Sequence, residues 1–197
     1  MAQGPLSEHE RTNMSRTSHR AQLREHDALD LLRRDHDAIK HLFGDYERLV
    51  RRRADPERKA TVVGRLCFAL SLHLQIEEEI FYPAARAVLA NAAWTVHALD
   101  DHDDAKALIA RLDEMEAGDA DFDVTVTALA ANVVPHMNEE QDLVFQALQQ
   151  AGLDTAALGR RLAQRQKLLK EDVTRIGLPH SPGAVASWPV ACRLVSP

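Results

Sequence analysis

At 197 residues the chain is long enough for one domain with a substantial core and too short for two generous ones. A hydrophobic content of 45%, few aromatics and only eight Gly and eight Pro exclude an intrinsically disordered chain and suit an all-helical globule. The formal charge of −6, with no basic groove interleaved with aromatics, argues against a nucleic-acid or acidic-membrane binder.

Residues 1–26 are polar, rich in Ser, Thr, Arg and His and without periodicity, and are expected to form a mobile arm with solvated His9, His19 and His26. A first helix is expected from about Asp27, an N-cap, with an apolar stripe Leu32, His36, Ile39, Phe43, Tyr46, Val50. His41 falls about 140° off the His36 face and should be exposed. Arg51-Arg52-Arg53 closes this helix, where cations favour the dipole. Asp55-Pro56-Glu57 breaks the chain and starts a second helix running to about residue 90. Its stripe is Val63, Leu66, Leu70, His73, Glu77, Ile80, Ala84, Val88, and Pro83 should kink it or end its regular bonding just beyond Glu77.

A third helix to about residue 116 carries Ala98, His102, Ala105, Ile109 and Leu112 on one face, with His97 off it. Gly118-Asp119-Ala120-Asp121 is a turn, and Asp121 or Asp123 is expected to cap a fourth helix to about Gln150. The stripe of that helix is Val126, Leu129, Val133, His136, Glu140, Val144, Leu148, and Pro135 is expected to bend it. Residues 152–176 form an accessory helix, capped by Asp154 or Thr155, which is expected to pack outside the main bundle; 177–197, with four prolines and His180, are an irregular tail. Four long helices with short connections favour an up-down-up-down bundle over residues 27–151. Cys67 and Cys192, the two cysteines, indicate neither a disulfide framework nor a zinc-thiolate site. No apolar run suits a signal segment or a membrane span, so a cytoplasmic location is expected.

A histidine and a glutamate four residues apart on a helix lie about 6 Å apart along the axis and about 40° apart around it, so both can reach one point. That spacing occurs at His73/Glu77 and again at His136/Glu140, both times on the apolar stripe. One inward His alone is an ordinary hydrogen-bonded core residue, and one i, i+4 pair an ordinary local bridge. Here each of four helices supplies one inward His and two add a carboxylate. Burying that set uncompensated costs several kcal/mol per charge, against a stability margin of about 5–15 kcal/mol. A bound cation removes the conflict.

Nitrogen and oxygen donors without thiolate suit Fe, Mn, Zn or Cu, and six donors exceed what one tetrahedral zinc needs. Two metals use the set more naturally. With Glu77 and Glu140 bridging, one arrangement places His36 and His73 on one ion and His102 and His136 on the other; the pairing of imidazoles is left open by the sequence. A ferritin-like site would need Glu-x-x-His pairs, the reverse order and a different spacing.

His36 within Asp-His-Asp, His73-x-x-x-Glu77-Glu78 followed by Phe81-Tyr82-Pro83, His102, and His136-x-x-x-Glu140, in this order over about residues 27–150, resemble the hemerythrin-like, HHE cation-binding family. The resemblance implies two iron ions, oxo- or hydroxo-bridged, with Mn or Zn as substitutes, held by His36, His73, Glu77, His102, His136 and Glu140. It implies O2, peroxide or NO as small ligands, through either catalase-like or peroxidase-like handling of hydrogen peroxide or a non-catalytic O2, NO or iron sensor acting through a partner; charge and composition point to no nucleic acid and no membrane. The oxygen carriers of that family have a second His on the third helix. Here positions 106 and 98 are Lys106 and Ala98, so five-histidine ligation is not expected, and Glu78, Glu139 and Tyr46 are the candidate fifth donors.

Overall fold

The computed structural model describes residues 27–89 and 93–175, the side chains of 174 and 175 excepted. The N-terminal arm, the C-terminal tail, His9, His19, His26, His180 and Cys192 lie outside the described residues. The described residues are helical with no strand among them. Helix α1 is Ala28–Arg51. Helix α2 is made of α-helical Pro56–Ile76, a π-helical turn Glu77–Phe81 and α-helical Tyr82–Val88. Helix α3 is Ala93–Asp113. Helix α4 repeats the α2 pattern, with Phe122–Glu139, a π-helical turn Glu140–Val144 and Phe145–Gln150, and α5 is Thr155–Arg175. The long helices pack chiefly as α1 on α2 and α3 on α4, an up-down-up-down order, while α5 lies along α1 and α2.

Local chemistry sets the helix ends. Asp27 accepts from the backbone N–H groups of Leu29 and Asp30, and Asp55 accepts from that of Arg58 with Pro56 following at the first turn, so orphan donors are satisfied at both starts. Asp154 caps α5 through the Ala157 N–H, while the Thr155 hydroxyl donates to Asp27 at 2.5 Å and ties α5 to the start of α1. Gly152, at φ 71°, supplies the left-handed residue after α4, and Leu153 N–H returns to Leu148 O. Asp121 holds the N-cap position of α4 without a side-chain cap bond. Asp123 is not a cap: it takes Lys59 Nζ at 2.8 Å and Tyr46 Oη at 2.5 Å, joining α1, α2 and α4.

Pro135 does not interrupt α4, because α-helical geometry continues from Phe122 through Glu139. The irregularity comes later, at Glu140–Val144, where there is no proline. In α2 the regular bonding ends at Glu77, as the proline suggested, and Pro83 sits just past a turn that widens around the carbonyl its ring would meet four residues back. Each π turn begins at the glutamate of a His-x-x-x-Glu pair. A π turn holds one residue more than an α turn and therefore rotates everything after it. Beyond Glu77 the buried positions are accordingly Phe81, Tyr82 and Ala85, not Ile80, Ala84 and Val88, and Val88 is exposed.

The hydrophobic core is divided. One cluster includes Leu29, Leu32, Ile76, Phe81, Tyr82, Phe145 and Leu148, closed by Leu158, Leu162 and Leu169 of α5. The other includes Ile39, Phe43, Leu70, Leu74, Ala105, Ile109, Leu129 and Val133. Between them in all four bundle helices lies a polar layer made of His36, His73, Glu77, His102, His136 and Glu140, each at most 6% exposed. Hydrophobic burial drives the bundle together on both sides of this layer but gives the layer itself no stabilisation.

Candidate metal centre

The four imidazoles turn their Nε2 atoms into the layer. His36 Nε2 lies 3.4 Å from Glu140 Oε2 and 3.8 Å from Glu77 Oε1; His73 Nε2 lies 3.3 Å and His102 Nε2 3.5 Å from Glu77 Oε2; His136 Nε2 is 3.9 Å from Glu140 Oε2. His102 and His136 approach each other at 3.2 Å through their Nε2 atoms. These are close approaches rather than aligned hydrogen bonds to the carboxylates. Both oxygens of Glu77, both of Glu140, His36 Nε2 and both nitrogens of His73 are buried without a hydrogen-bond partner. Seven orphaned donor atoms in one layer is far from the near-complete pairing of an ordinary interior.

Donor atoms from His36, His73, Glu77 and Glu140 lie within 4.8 Å of one another, as do those from Glu77, His102 and His136. All six residues singled out by the sequence are therefore brought together in one layer, with His36 beside His73 and His102 beside His136. Glu77 is common to both groups, while Glu140 lies with the first.

The outward Nδ1 atoms are backed by polar groups. Glu78 Oε1 is 2.8 Å from His102 Nδ1, Asp101 Oδ2 is 3.2 Å from His136 Nδ1, and the Gln141 amide is 2.7 Å from His36 Nδ1. The Gln141 atom at that position is Nε2, which donates to the ring; with the amide turned over, Oε1 takes its place and accepts the ring proton. Asp35 faces His73 Nδ1 at 3.9 Å and is itself held by Gln166 of α5 at 2.9 Å. At His102 and His136 a carboxylate at Nδ1 fixes the ring and leaves Nε2 unprotonated and directed inward, as metal-ligating imidazoles require, while His73 Nδ1 has no hydrogen-bond partner.

Electrostatics agree with a site built for a cation. Burial, then the charge of Glu140, pushes the Glu77 carboxyl well above the usual carboxylate range. At Glu140 burial pushes the same way, but the contact with His36 and the neighbouring His136 hold it down to about 2. Burial lowers His36 to about 4, against the Glu140 contact, so its ring is neutral at pH 7. Two carboxyl groups and four imidazoles fit a divalent or trivalent ion of borderline softness and lack the all-oxygen set of Ca or Mg.

The candidate fifth donors fall elsewhere. Tyr46 is hydrogen-bonded to Asp123, ten residues and about 15 Å along α1 from His36. Glu78 is taken by His102 and by Lys106 Nζ at 2.8 Å; burial pushes its carboxyl up, but these two contacts outweigh it and hold it below the usual range. Lys106 thus steadies the residue that steadies His102. Glu139 is exposed, at the mouth of a small cavity that reaches Glu140.

The residue that the sequence reading did not single out is Tyr82. It is fully buried, and its Oη is 2.9 Å from His102 Nε2 and 3.3 Å from His136 Nε2. The period of an unbroken α-helix puts Tyr82 off the inward face, and only the π turn carries it in. Two adjacent bulky aromatics followed directly by Pro83 are the signal that could have revealed it.

The fold and this centre define a class: an all-helical bundle with a buried His/carboxylate layer that can hold cations. The model of the Hemerythrin HHE cation binding domain matches residues 27–148, and the chain belongs to that family. Its fold is similar to the crystal structure of a hemerythrin HHE cation binding domain-containing protein from Mycobacterium kansasii, with a TM-score of 0.61, 18% identity, and 81% of this chain and 97% of that one covered. It is also 25% identical over 119 residues to a DNA nickase from Nostoc sp.; the match takes in 60% of this chain and 32% of the nickase, so the chain spans about a third of that relative's length. Among the described residues no helix is long and apolar enough to cross a membrane.

Proposed function

We propose that this chain is a non-haem di-iron protein that binds O2 and reacts with hydrogen peroxide, consuming it in a catalase-like manner. The observation that carries this reading is the convergence of orphaned, buried nitrogen and oxygen donors in two groups that share Glu77. His36, His73, Glu77 and Glu140 would hold one ion, and His102, His136 and Glu77 the other. Two adjacent irons, when bound, supply a two-electron couple matched to O2 and peroxide.

The chain's own groups do the rest. Tyr82 Oη, facing the His102–His136 half, can donate a hydrogen bond to an oxygen atom entering there. Asp101, backing His136 and half-exposed, can pass a proton between that half and solvent. The two apolar clusters above and below exclude bulk water from the layer.

Protein purified without chelator should contain about two irons per chain, against none or one if the donors do not form a pair of sites. After free iron is removed, it should release one O2 for every two H2O2 consumed. Uptake of metal with stoichiometric oxidation but no turnover would favour the sensor reading. That reading has its own support: Arg165 of α5 grips Glu79 inside the first π turn at 2.6 and 2.9 Å, so an event in the layer has a direct mechanical route to α5.

The backing carboxylate gives a finer test. Glu78→Ala leaves every proposed ligand in place but frees His102 Nδ1 and Lys106, and should weaken the second ion's binding by about 10–100-fold while sparing the first. A competition titration with a chromophoric chelator reads the two steps. Equal loss at both ions, or at neither, would count against the assigned grouping.

A further inference from the structure

A cavity opens beside the layer between α3 and the far part of α4, with exposed His97 and Glu139 at one end and buried His136 and Glu140 at the other. Its usable space is about 20 Å³, just above the ~10–15 Å³ that one water needs. Passage of a two-atom ligand therefore needs a side chain to give way, and the large movable one on the wall is Trp94. Its ring packs edge-on against Tyr82, with centroids 5.5 Å apart, and its indole Nε1 is buried with no hydrogen-bond partner. A buried, unspent N–H costs about 1–3 kcal/mol. Asp101 and Glu139 put negative charge on the same wall.

We propose that small neutral ligands of O2 or H2O2 size reach the His102–His136 half through this gap, past Trp94, whose indole N–H hydrogen-bonds them while Asp101 and Glu139 turn anions away. The inference rests on the metal reading for what lies at the inner end. The route itself is a property of the wall. Trp94 serves here as a specificity and positioning residue, because its indole N–H is buried on the cavity wall without a hydrogen-bond partner.

Azide, a small anion with a charge-transfer band on iron, is the kinetic probe. In iron-loaded protein, Trp94→Ala should raise the azide on-rate about tenfold, and Trp94→Phe, which keeps an aromatic ring but loses the N–H and part of the bulk, should raise the on-rate less and the off-rate about tenfold, the equivalent of one hydrogen bond of about 1.4 kcal/mol. Glu139→Gln should raise the azide on-rate about two- to fivefold, an effect that fades with added salt. A metal-free reading uses Trp188→Phe, which leaves Trp94 as the sole tryptophan: caesium should quench its emission more than iodide does, and adding Glu139→Gln should narrow that difference. If all three variants keep both azide rates within twofold of the parent, ligands enter elsewhere and the proposal is overturned even though the irons are bound. If the parent takes up no iron, the function reading fails, and equal quenching by the two ions would then overturn the route as well.

Discussion

Replacing Glu77 and Glu140 together by methionine should give a protein that holds no metal pair yet is more stable than the parent stripped of metal. Methionine nearly matches glutamate in volume, so the double change neither opens a large cavity nor overfills the layer. What it removes is four carboxylate oxygens that are buried and have no hydrogen-bond partner. Replacement of buried charged groups by well-packed apolar ones is neutral or stabilising by about 1–4 kcal/mol. Here the upper half of that range is expected, because one of the two carboxyls is forced toward its neutral form by burial and by the charge of the other. Urea unfolding of the chelator-treated parent and of Glu77→Met/Glu140→Met measures the difference, with the slope checked for constancy. With metal restored the order should reverse, since only the parent gains binding free energy on folding. A variant less stable than the metal-free parent would mean that the carboxylates make good interactions without an ion, and the cation reading of the layer would lose its physical basis.

The same contrast explains which parts of this molecule are legible in its sequence. The helices and the layer are legible because burial follows a 3.6-residue period: Ile39 and Phe43, one and two turns on from His36, or Leu129 and Val133 leading to His136, make the polar residues stand out on an apolar stripe. His41 and His97 fall off that period and are exposed. Where the period itself breaks, the reading fails. The π turn after Glu77 moves Tyr82 from a lateral position to the middle of the site, and a helix breaker such as Pro83 announces a disturbance without giving its sense. At Pro135, by contrast, a breaker in sequence lies within unbroken helical geometry from Phe122 to Glu139, at an exposed position of α4. Hydrogen-bond partners far apart in the chain, such as Asp123 with Lys59 and Tyr46, carry no local pattern at all and make Asp123 look like a helix cap.

Helix α5 leads to the second large effect. Its stripe looks weak in sequence because few apolar residues recur on a basic background, yet Leu162 is fully buried and belongs to the cluster that holds Leu29, Leu32 and Phe81. Leu162→Ala should therefore cost about 2–5 kcal/mol, as truncation of a fully buried leucine does. It should also loosen the metal layer on one side only. Three and four residues beyond Leu162 come Arg165, bonded to Glu79 in the first π turn, and Gln166, bonded to the Asp35 that faces His73, so a displaced α5 releases two contacts beside the His36–His73 half. Leu129→Ala is the control: Leu129 is equally buried, in the other cluster and out of reach of α5, and its truncation should cost a similar amount of stability. Chelator competition on the two variants, compared at equal stability by adjusting temperature, should show the first ion released about 10–100-fold more readily from Leu162→Ala than from Leu129→Ala. Equal release from both would reduce α5 to a lid over apolar surface and remove the mechanical link on which a sensor reading of this family member depends.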